Sequence, residues 1–203
     1  MKYKWLNKGI NNKLILFFNG WGMDECVVNN LKTEGYDILM FYDYNSLETD
    51  FDFESLNTYP NKYLIAWSMG VMIATLFDIN YVSKTAINGT LKPIDDRFGI
   101  PKKIYDLTLK GFSSKGAERF IKNMYNENCE LPRPAREFEN QKSELEALTH
   151  YKANDSFKYD RIILSSNDKI IPAKNQSAFW GIEPNINSGH APFNFFKKWS
   201  ELL

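Results

Sequence analysis

Short apolar runs, each cut off by turn-forming residues, constrain this chain more than any other feature. Lys13-Leu14-Ile15-Leu16-Phe17-Phe18 stops at Asn19-Gly20-Trp21-Gly22, and Tyr36 to Tyr42, Tyr63 to Trp67, Thr85 to Ile87 and Arg161 to Ser165 have the same character. A run of this length without polar alternation fits a strand buried on both faces. Between several runs lie stretches with helical spacing, notably Met69 to Ile79, where Val71, Met72, Thr75, Leu76 and Ile79 share a face. Strands alternating with helices predict an α/β fold, a mainly parallel sheet with helices on both sides.

At 203 residues the chain is expected to form a single domain over 1–203, with enough length to enclose a core. The segment at about 95–153 breaks the strand and helix rhythm. It carries charged amphipathic stretches, such as Gly116 to Tyr125 and Phe138 to Leu148, and reads as a helical insertion, or lid, between two core strands. Charge is distributed unevenly along the chain. From Arg97 to Arg136, nine basic residues against four acidic ones leave a local excess of five positive charges, whereas Asp43 to Glu54 is acidic with no basic residue.

The 25 basic and 25 acidic side chains cancel. A neutral domain is not expected to hold nucleic acid by bulk phosphate neutralisation. Cys26 and Cys129 are too few for a disulfide framework, and no CxxC or paired Cys/His spacing suggests zinc. They are expected to be free thiols in a reducing cytoplasm. Met1-Lys2-Tyr3-Lys4-Trp5 has the charge of a signal peptide, but no apolar region follows, and no run approaches about 18 apolar residues. A cytoplasmic, non-membrane protein is therefore expected. Only two histidines are present, so a base working near neutral pH must be His150 or His190.

The strongest local motif is Tyr63-Leu64-Ile65-Ala66-Trp67-Ser68-Met69-Gly70-Val71. A strand entering small-x-Ser-x-Gly and leaving as a helix is a nucleophile elbow, which holds its serine in a strained turn at the C-terminal edge of a sheet. Here Ala66 replaces the usual first glycine. A serine hydroxyl needs a base to become a nucleophile, and the base needs an acid to orient it. The chain offers Ser68, then Asp168, then His190, which is the order of an α/β-hydrolase. Asp168 follows the Arg161 run, where a carboxylate would emerge at a strand's C-terminal end. Asp155 and Asp160 also precede His190 but lie before that strand, on the opposite edge. His190 sits in the turn-rich Asn187-Ser188-Gly189-His190-Ala191-Pro192-Phe193, just ahead of an expected last helix, and His150 ends the insertion as a helix-terminal residue. Oxyanion donors are expected from the backbone N–H of Met69, after the nucleophile, and from the loop Asn19 to Asp24, where glycines flank Trp21. Trp21 and Trp67 could wall a pocket for an acyl chain or serve as core residues.

Asn19-Gly20-Trp21-Gly22-Met23-Asp24, Trp67-Ser68-Met69-Gly70, Ala86-Ile87-Asn88-Gly89-Thr90 with Pro93-Ile94-Asp95 and Gly99-Ile100-Pro101, and the late Asp168 and Ser188-Gly189-His190 together resemble the compact BioG-type pimeloyl-[acyl-carrier protein] methyl ester esterases of biotin synthesis. The resemblance covers nearly the whole chain and is weakest across the insertion. Asn19 stands where many hydrolases have histidine. The resemblance implies hydrolysis of the methyl ester that caps a pimeloyl chain on acyl-carrier protein. In it Ser68 is the nucleophile, His190 the base and then the acid, Asp168 the orienting carboxylate, and the Trp21 and Met69 amides the oxyanion hole. No metal or organic cofactor is implied.

Acyl-carrier proteins are acidic, so the basic stretch is where such a partner would be steered to dock. Lys110, Lys115, Arg119, Lys122, Arg133 and Arg136 are candidates as a group; the alternative is a solvated helical face. Two further readings compete with the carrier-linked esterase. One is a generalist carboxylesterase or thioesterase without a carrier partner, and the other is a hydrolase-like module that only binds.

Overall fold

In a computed structural model, residues 1–9, 11–125 and 132–203 are described, so Cys129 lies outside the described residues. Strands β1 (Lys2–Asn7), β2 (Lys13–Phe18), β3 (Asp37–Tyr42), β4 (Asn61–Trp67), β5 (Ser83–Ile87) and β6 (Arg161–Ile163) form one sheet in the order β1-β3-β2-β4-β5-β6. All neighbours run parallel except β1, which pairs antiparallel with β3. The apolar runs become the five parallel strands, and β2 is wholly buried after Lys13. Strand β1 is an addition to the sequence reading. Its lysines alternate with half-buried Tyr3 and Trp5, a pattern suited to a sheet edge, where charge discourages pairing with another chain.

Register places the core by parity. Leu16 lies opposite Leu39 and Leu64, and Ala66 lies between Phe18 and Ala86. These residues face α1 (Gly70–Ile73), α2 (Lys102–Gly111), α4 (Phe138–Ala147) and α5 (Ala173–Trp180). The other parity, Ile15, Phe17, Ile38, Met40, Ile65 and Trp67, is not covered by long helices as expected. It packs on the short 3-10 turns Glu25–Val27, Pro192–Phe195 and Trp199–Leu202, joined by Ile121 and Met124 from α3 (Ser114–Met124).

Two expected helices are shorter or absent, each for a local reason. The Met69 to Ile79 stretch is helical only through α1 and a 3-10 turn at Ala74–Leu76. There the Thr75 hydroxyl donates to the Met72 carbonyl (2.7 Å) and accepts the Asn154 N–H (2.9 Å), which draws the chain off the helical path. After His190 no α-helix follows, because Lys32 pairs along the terminal segment: its N–H meets the Lys197 carbonyl at 3.0 Å and its carbonyl the Trp199 N–H at 3.1 Å. Strand β6 ends at Ile163, where the Leu164 and Ser165 N–H groups turn to the side-chain oxygens of Asn185 (3.0 Å) and Asn88 (2.8 Å).

The chain between β5 and β6 contains α2, α3 and α4. Helices α3 and α4 match the two amphipathic stretches of the sequence, and α2 precedes them. His150 is exposed at the end of a 3-10 turn, Leu148–His150. No helix among the described residues is long and apolar enough to cross a membrane.

Candidate active site

Ser68 sits at the C-terminal end of β4 with φ of 57°, a left-handed conformation rare for a side-chain-bearing residue. Its N–H donates to the Ile87 carbonyl at 2.9 Å, so the turn is held by the neighbouring strand. Close backbone approach explains the small residues around it. A Cβ at Gly70 would lie 2.2 Å from the Phe18 carbonyl oxygen, and one at Gly89 would lie 2.4 Å from that of Ser68. At Ala66 the methyl faces Ala86 across the ladder and is fully buried, so the missing glycine is accommodated.

Strand ends bring three side chains into line. His190 Nε2 lies 2.8 Å from Ser68 Oγ, and His190 Nδ1 lies 2.7 Å from Asp168 Oδ2. His190 is 1% exposed and Asp168 is buried. Donors fill the remaining positions of the Asp168 carboxylate: Ile170 N–H (2.8 Å) and Ile171 N–H (2.9 Å) on Oδ1, and Gln176 Nε2 (2.8 Å) on Oδ2. The His190 carbonyl accepts from Trp67 Nε1 at 2.7 Å and Asn88 Nδ2 at 2.9 Å. An imidazole held between a hydroxyl and a carboxylate can take the hydroxyl proton while the carboxylate fixes its tautomer. Asp160 is elsewhere, accepting the Lys84 N–H beside the start of β5.

The Asn19 to Asp24 loop faces this line from β2. Gly20 N–H donates to Asn19 Oδ1 (2.9 Å) and Gly22 N–H to Glu144 Oε2 (3.0 Å). The N–H groups of Trp21 and Met69 have no acceptor among the described residues, and both residues line the cleft above Ser68. That cleft is a cavity of about 430 Å³. Its roof comes from Ile104, Leu107, Phe112, Phe120 and Met124 of the insertion, and its only lysine or arginine lining residues among those described are Arg119 and Lys169. Trp21 packs edge-on against Phe112 and Phe120 at 5.1 and 4.7 Å. Trp67 touches the cleft but is 1% exposed, and its ring lies 5.4 Å from His190. It supports the histidine loop more than it walls a chain.

Of the six basic residues proposed for docking, Lys110, Lys115, Arg119 and Lys122 are exposed on α2 and α3, and Arg133 is exposed and meets Glu118 at 3.4 Å. Arg136 must be removed from the group. Its side chain is 6% exposed and is consumed by Glu144 (2.6 Å), Asp43 (3.1 Å) and Asn140 Oδ1. Composition could not separate this cation from its exposed neighbours. Sequence reasoning also missed Gln176, Asn88, Lys169 and Glu144. Lys169, next to Asp168, carried a positional hint, and Asn88 lay in the Ala86 to Thr90 motif without an assigned role. Cys26 has no disulfide partner among the described residues, and burial together with Asp24 pushes its thiol well above the ordinary range.

A mainly parallel sheet with a strained serine at a strand's C-terminal end and a histidine loop beyond the last strand defines an α/β-hydrolase. The fold agrees with that of a lipase-esterase related protein from Clostridium acetobutylicum, which is 11% identical, with a TM-score of 0.68 over 94% of this chain and 92% of that one. The family model for pimeloyl-ACP methyl esterase BioG matches residues 1–202, and the chain belongs to that family. The crystal structure of BioG from Haemophilus influenzae is 36% identical, with a TM-score of 0.89 over 100% of this chain and 99% of that one. A malonyl-[acyl-carrier protein] O-methyltransferase from Bacteroides fragilis is 36% identical over 183 residues, which cover 84% of this chain and 37% of that protein.

Proposed function

We propose that this protein is a serine carboxylesterase that hydrolyses the methyl ester of pimeloyl-[acyl-carrier protein] in biotin precursor synthesis. The observation that carries this reading is an apolar cleft ending on Ser68 Oγ, with His190 Nε2 at 2.8 Å and no carboxylate among its described lining residues. Membership of the BioG family supports the choice of ester.

His190 Nε2 takes the hydroxyl proton as Ser68 Oγ attacks the ester carbonyl. The tetrahedral oxyanion is held by the Trp21 and Met69 N–H groups, which stabilise charge that exists only in the transition state and intermediate. His190 then gives its proton to the departing methoxide, and methanol leaves an acyl group on Ser68. Water, deprotonated by His190, attacks that acyl group, and the proton returns to Ser68 as the free carboxylic acid departs and ionises in solvent. Asp168 orients the imidazole throughout and stabilises its charged form. Arg119 and Lys169 suit a chain whose far end carries an anionic phosphate and an acidic protein; Lys110, Lys115 and Lys122 extend that positive field.

Biotin-independent growth of a strain lacking its pimeloyl-ester esterase tests the reading. The wild type restores growth and Ser68→Ala does not. Failure of soluble wild-type protein, with hydrolysis of small chromogenic esters intact, would favour a generalist esterase. A fluorophosphonate that labels neither protein would leave only a binding module.

A further inference from the structure

Among the described residues Glu144 is the one fully buried carboxylate of the insertion, and the mechanism above does not use it. It lies on α4 yet bonds to the core. Oε2 accepts the Gly22 N–H (3.0 Å) and Oε1 accepts the Tyr44 N–H (2.8 Å), so a single carboxylate bridges the loop after β2 and the loop after β3. Gln141, one turn earlier, donates from Nε2 to the Gly22 carbonyl at 3.0 Å, while its own carbonyl accepts Trp21 Nε1 at 2.7 Å. Gly22 has φ of 74°, and the Tyr44 hydroxyl holds the Asn19 carbonyl at 2.8 Å. Every neighbour of the Trp21 amide is thereby tied: Gly20 N–H to Asn19, and both the N–H and the carbonyl of Gly22 to α4.

We infer that Glu144, with Gln141, is a positioning residue for the oxyanion hole: α4 clamps the backbone on both sides of the Gly22 Cα so that the Trp21 N–H is left aimed into the cleft. The inference rests on the esterase reading and deepens it. A turn of two glycines around a tryptophan has several accessible conformations. One of these would spend the Trp21 N–H on a local carbonyl. Two side chains that hold the two peptide groups flanking the Gly22 Cα remove that freedom before substrate arrives, which is the preorganisation oxyanion stabilisation requires.

The test is the kinetics of Glu144→Gln, whose amide can accept at only one of two positions, and of Gln141→Met, which keeps the bulk but loses the Gly22 bond. Both are assayed on a p-nitrophenyl ester beside wild type and Ser68→Ala. Complete loss of one oxyanion donor costs about 100- to 1,000-fold in kcat. Partial misaiming is expected to lower kcat by at least about tenfold for Glu144→Gln and about threefold for Gln141→Met, on the same scale. KM should stay within about twofold, because a donor that acts on the oxyanion contributes little to ground-state binding. The inhibition constant of an alkyl boronic acid, which forms a tetrahedral adduct on serine, should rise by the same factor as kcat falls. Unchanged kcat in folded Glu144→Gln, or in Gln141→Met should Glu144→Gln not fold, overturns the positioning role. An active Ser68→Ala overturns the esterase reading itself, a result separate from either.

Discussion

Helix α4 and the pair α2 and α3 belong to one insertion but are attached to the sheet by different physics. Helix α4 is joined by buried, directional groups: Glu144 and Gln141 reach the loop after β2, and Arg136, just before the helix, reaches Asp43 at the end of β3. Helices α2 and α3 rest mainly on apolar contact, and their buried polar ties include Tyr105 Oη to the Leu145 carbonyl (2.6 Å) and the Met124 carbonyl to the Ala191 N–H (3.1 Å). Their outer faces are charged, and Ile104 and Leu107 are 52% and 57% exposed at the cleft. Hydrogen bonds between buried groups fix distance and angle, whereas apolar surfaces tolerate sliding. One half of the insertion therefore behaves as core and holds the loop after β2 that faces Ser68, and the other half is a roof that can adapt to the chain beneath it.

The sharpest way to break that contrast is to unpair α4. Arg136→Met leaves Glu144 and Asp43 buried beside an apolar side chain, and loss of one partner from a buried pair costs about 3 to 5 kcal/mol. Urea unfolding should show a loss in this range, while the same substitution at the exposed Arg133 stays within about 0.5 kcal/mol. Equal losses at the two sites would dissolve the distinction. Next in size is Tyr105, which lines the 430 Å³ cleft and also a second crevice of about 640 Å³ between α2 and the Leu91 to Asp95 loop. Tyr105→Ala should join the two spaces. The ratio of kcat/KM for octanoate over butyrate p-nitrophenyl esters should rise about tenfold, within the discrimination that apolar pockets achieve. Tyr105→Phe, which loses only the bond to Leu145, should leave the ratio in place; a ratio unmoved in folded Tyr105→Ala would refute the partition.

The same contrast explains what could be read from the sequence. The strands after β1 were legible because burial on both faces leaves unbroken apolar runs, and the Ser68 turn because its neighbours must be small. The side of the sheet packed on 3-10 turns was not, since those turns depend on remote backbone pairing such as that of Lys32 with the terminal segment. The insertion divided in the same way. Helix α3 announces itself by amphipathic spacing, but nothing local in Phe138 to Leu148 marks Glu144 as buried and Glu139 as exposed. Likewise Arg136 and Arg133 are three residues apart and alike in sequence. Only the tertiary partners of Arg136 separate them.

On the adaptable half, charge should act on encounter and not on chemistry. Replacing Lys115, Arg119 and Lys122 together with Gln should slow turnover of a carrier-linked methyl ester by about tenfold at low salt, in line with the effect of steering on association rates. The deficit should shrink at an ionic strength of about 0.15 M, where the Debye length is about 8 Å. Hydrolysis of a small neutral ester should change much less. An equal loss on both substrates would place these side chains in the cleft's chemistry and not in docking.

The smallest effect expected is a pH dependence carried by the anchored half. Burial raises the Asp43 carboxyl, but hydrogen bonds from Asn45 and Lys2 and the Arg136 charge outweigh it, so its pKa falls below the ordinary value of 3.8. For Glu144 burial prevails over Arg136 and the Tyr44 and Gly22 amides, and its pKa lies above the ordinary 4.5. The signs are opposite. Asp43 adds stability that is present above its unfolded value and is lost as pH falls through its folded one, whereas ionising Glu144 withdraws stability as pH rises from its unfolded value through its folded one. Asp43→Asn should therefore be less stable than wild type at pH 7, with the gap closing below about pH 4. Urea unfolding between pH 3 and 7 measures this difference. A constant gap for Asp43→Asn would mean that its carboxylate contributes by shape and not by charge, and that the anchoring of α4 through Arg136 owes nothing to the ion pair at that end.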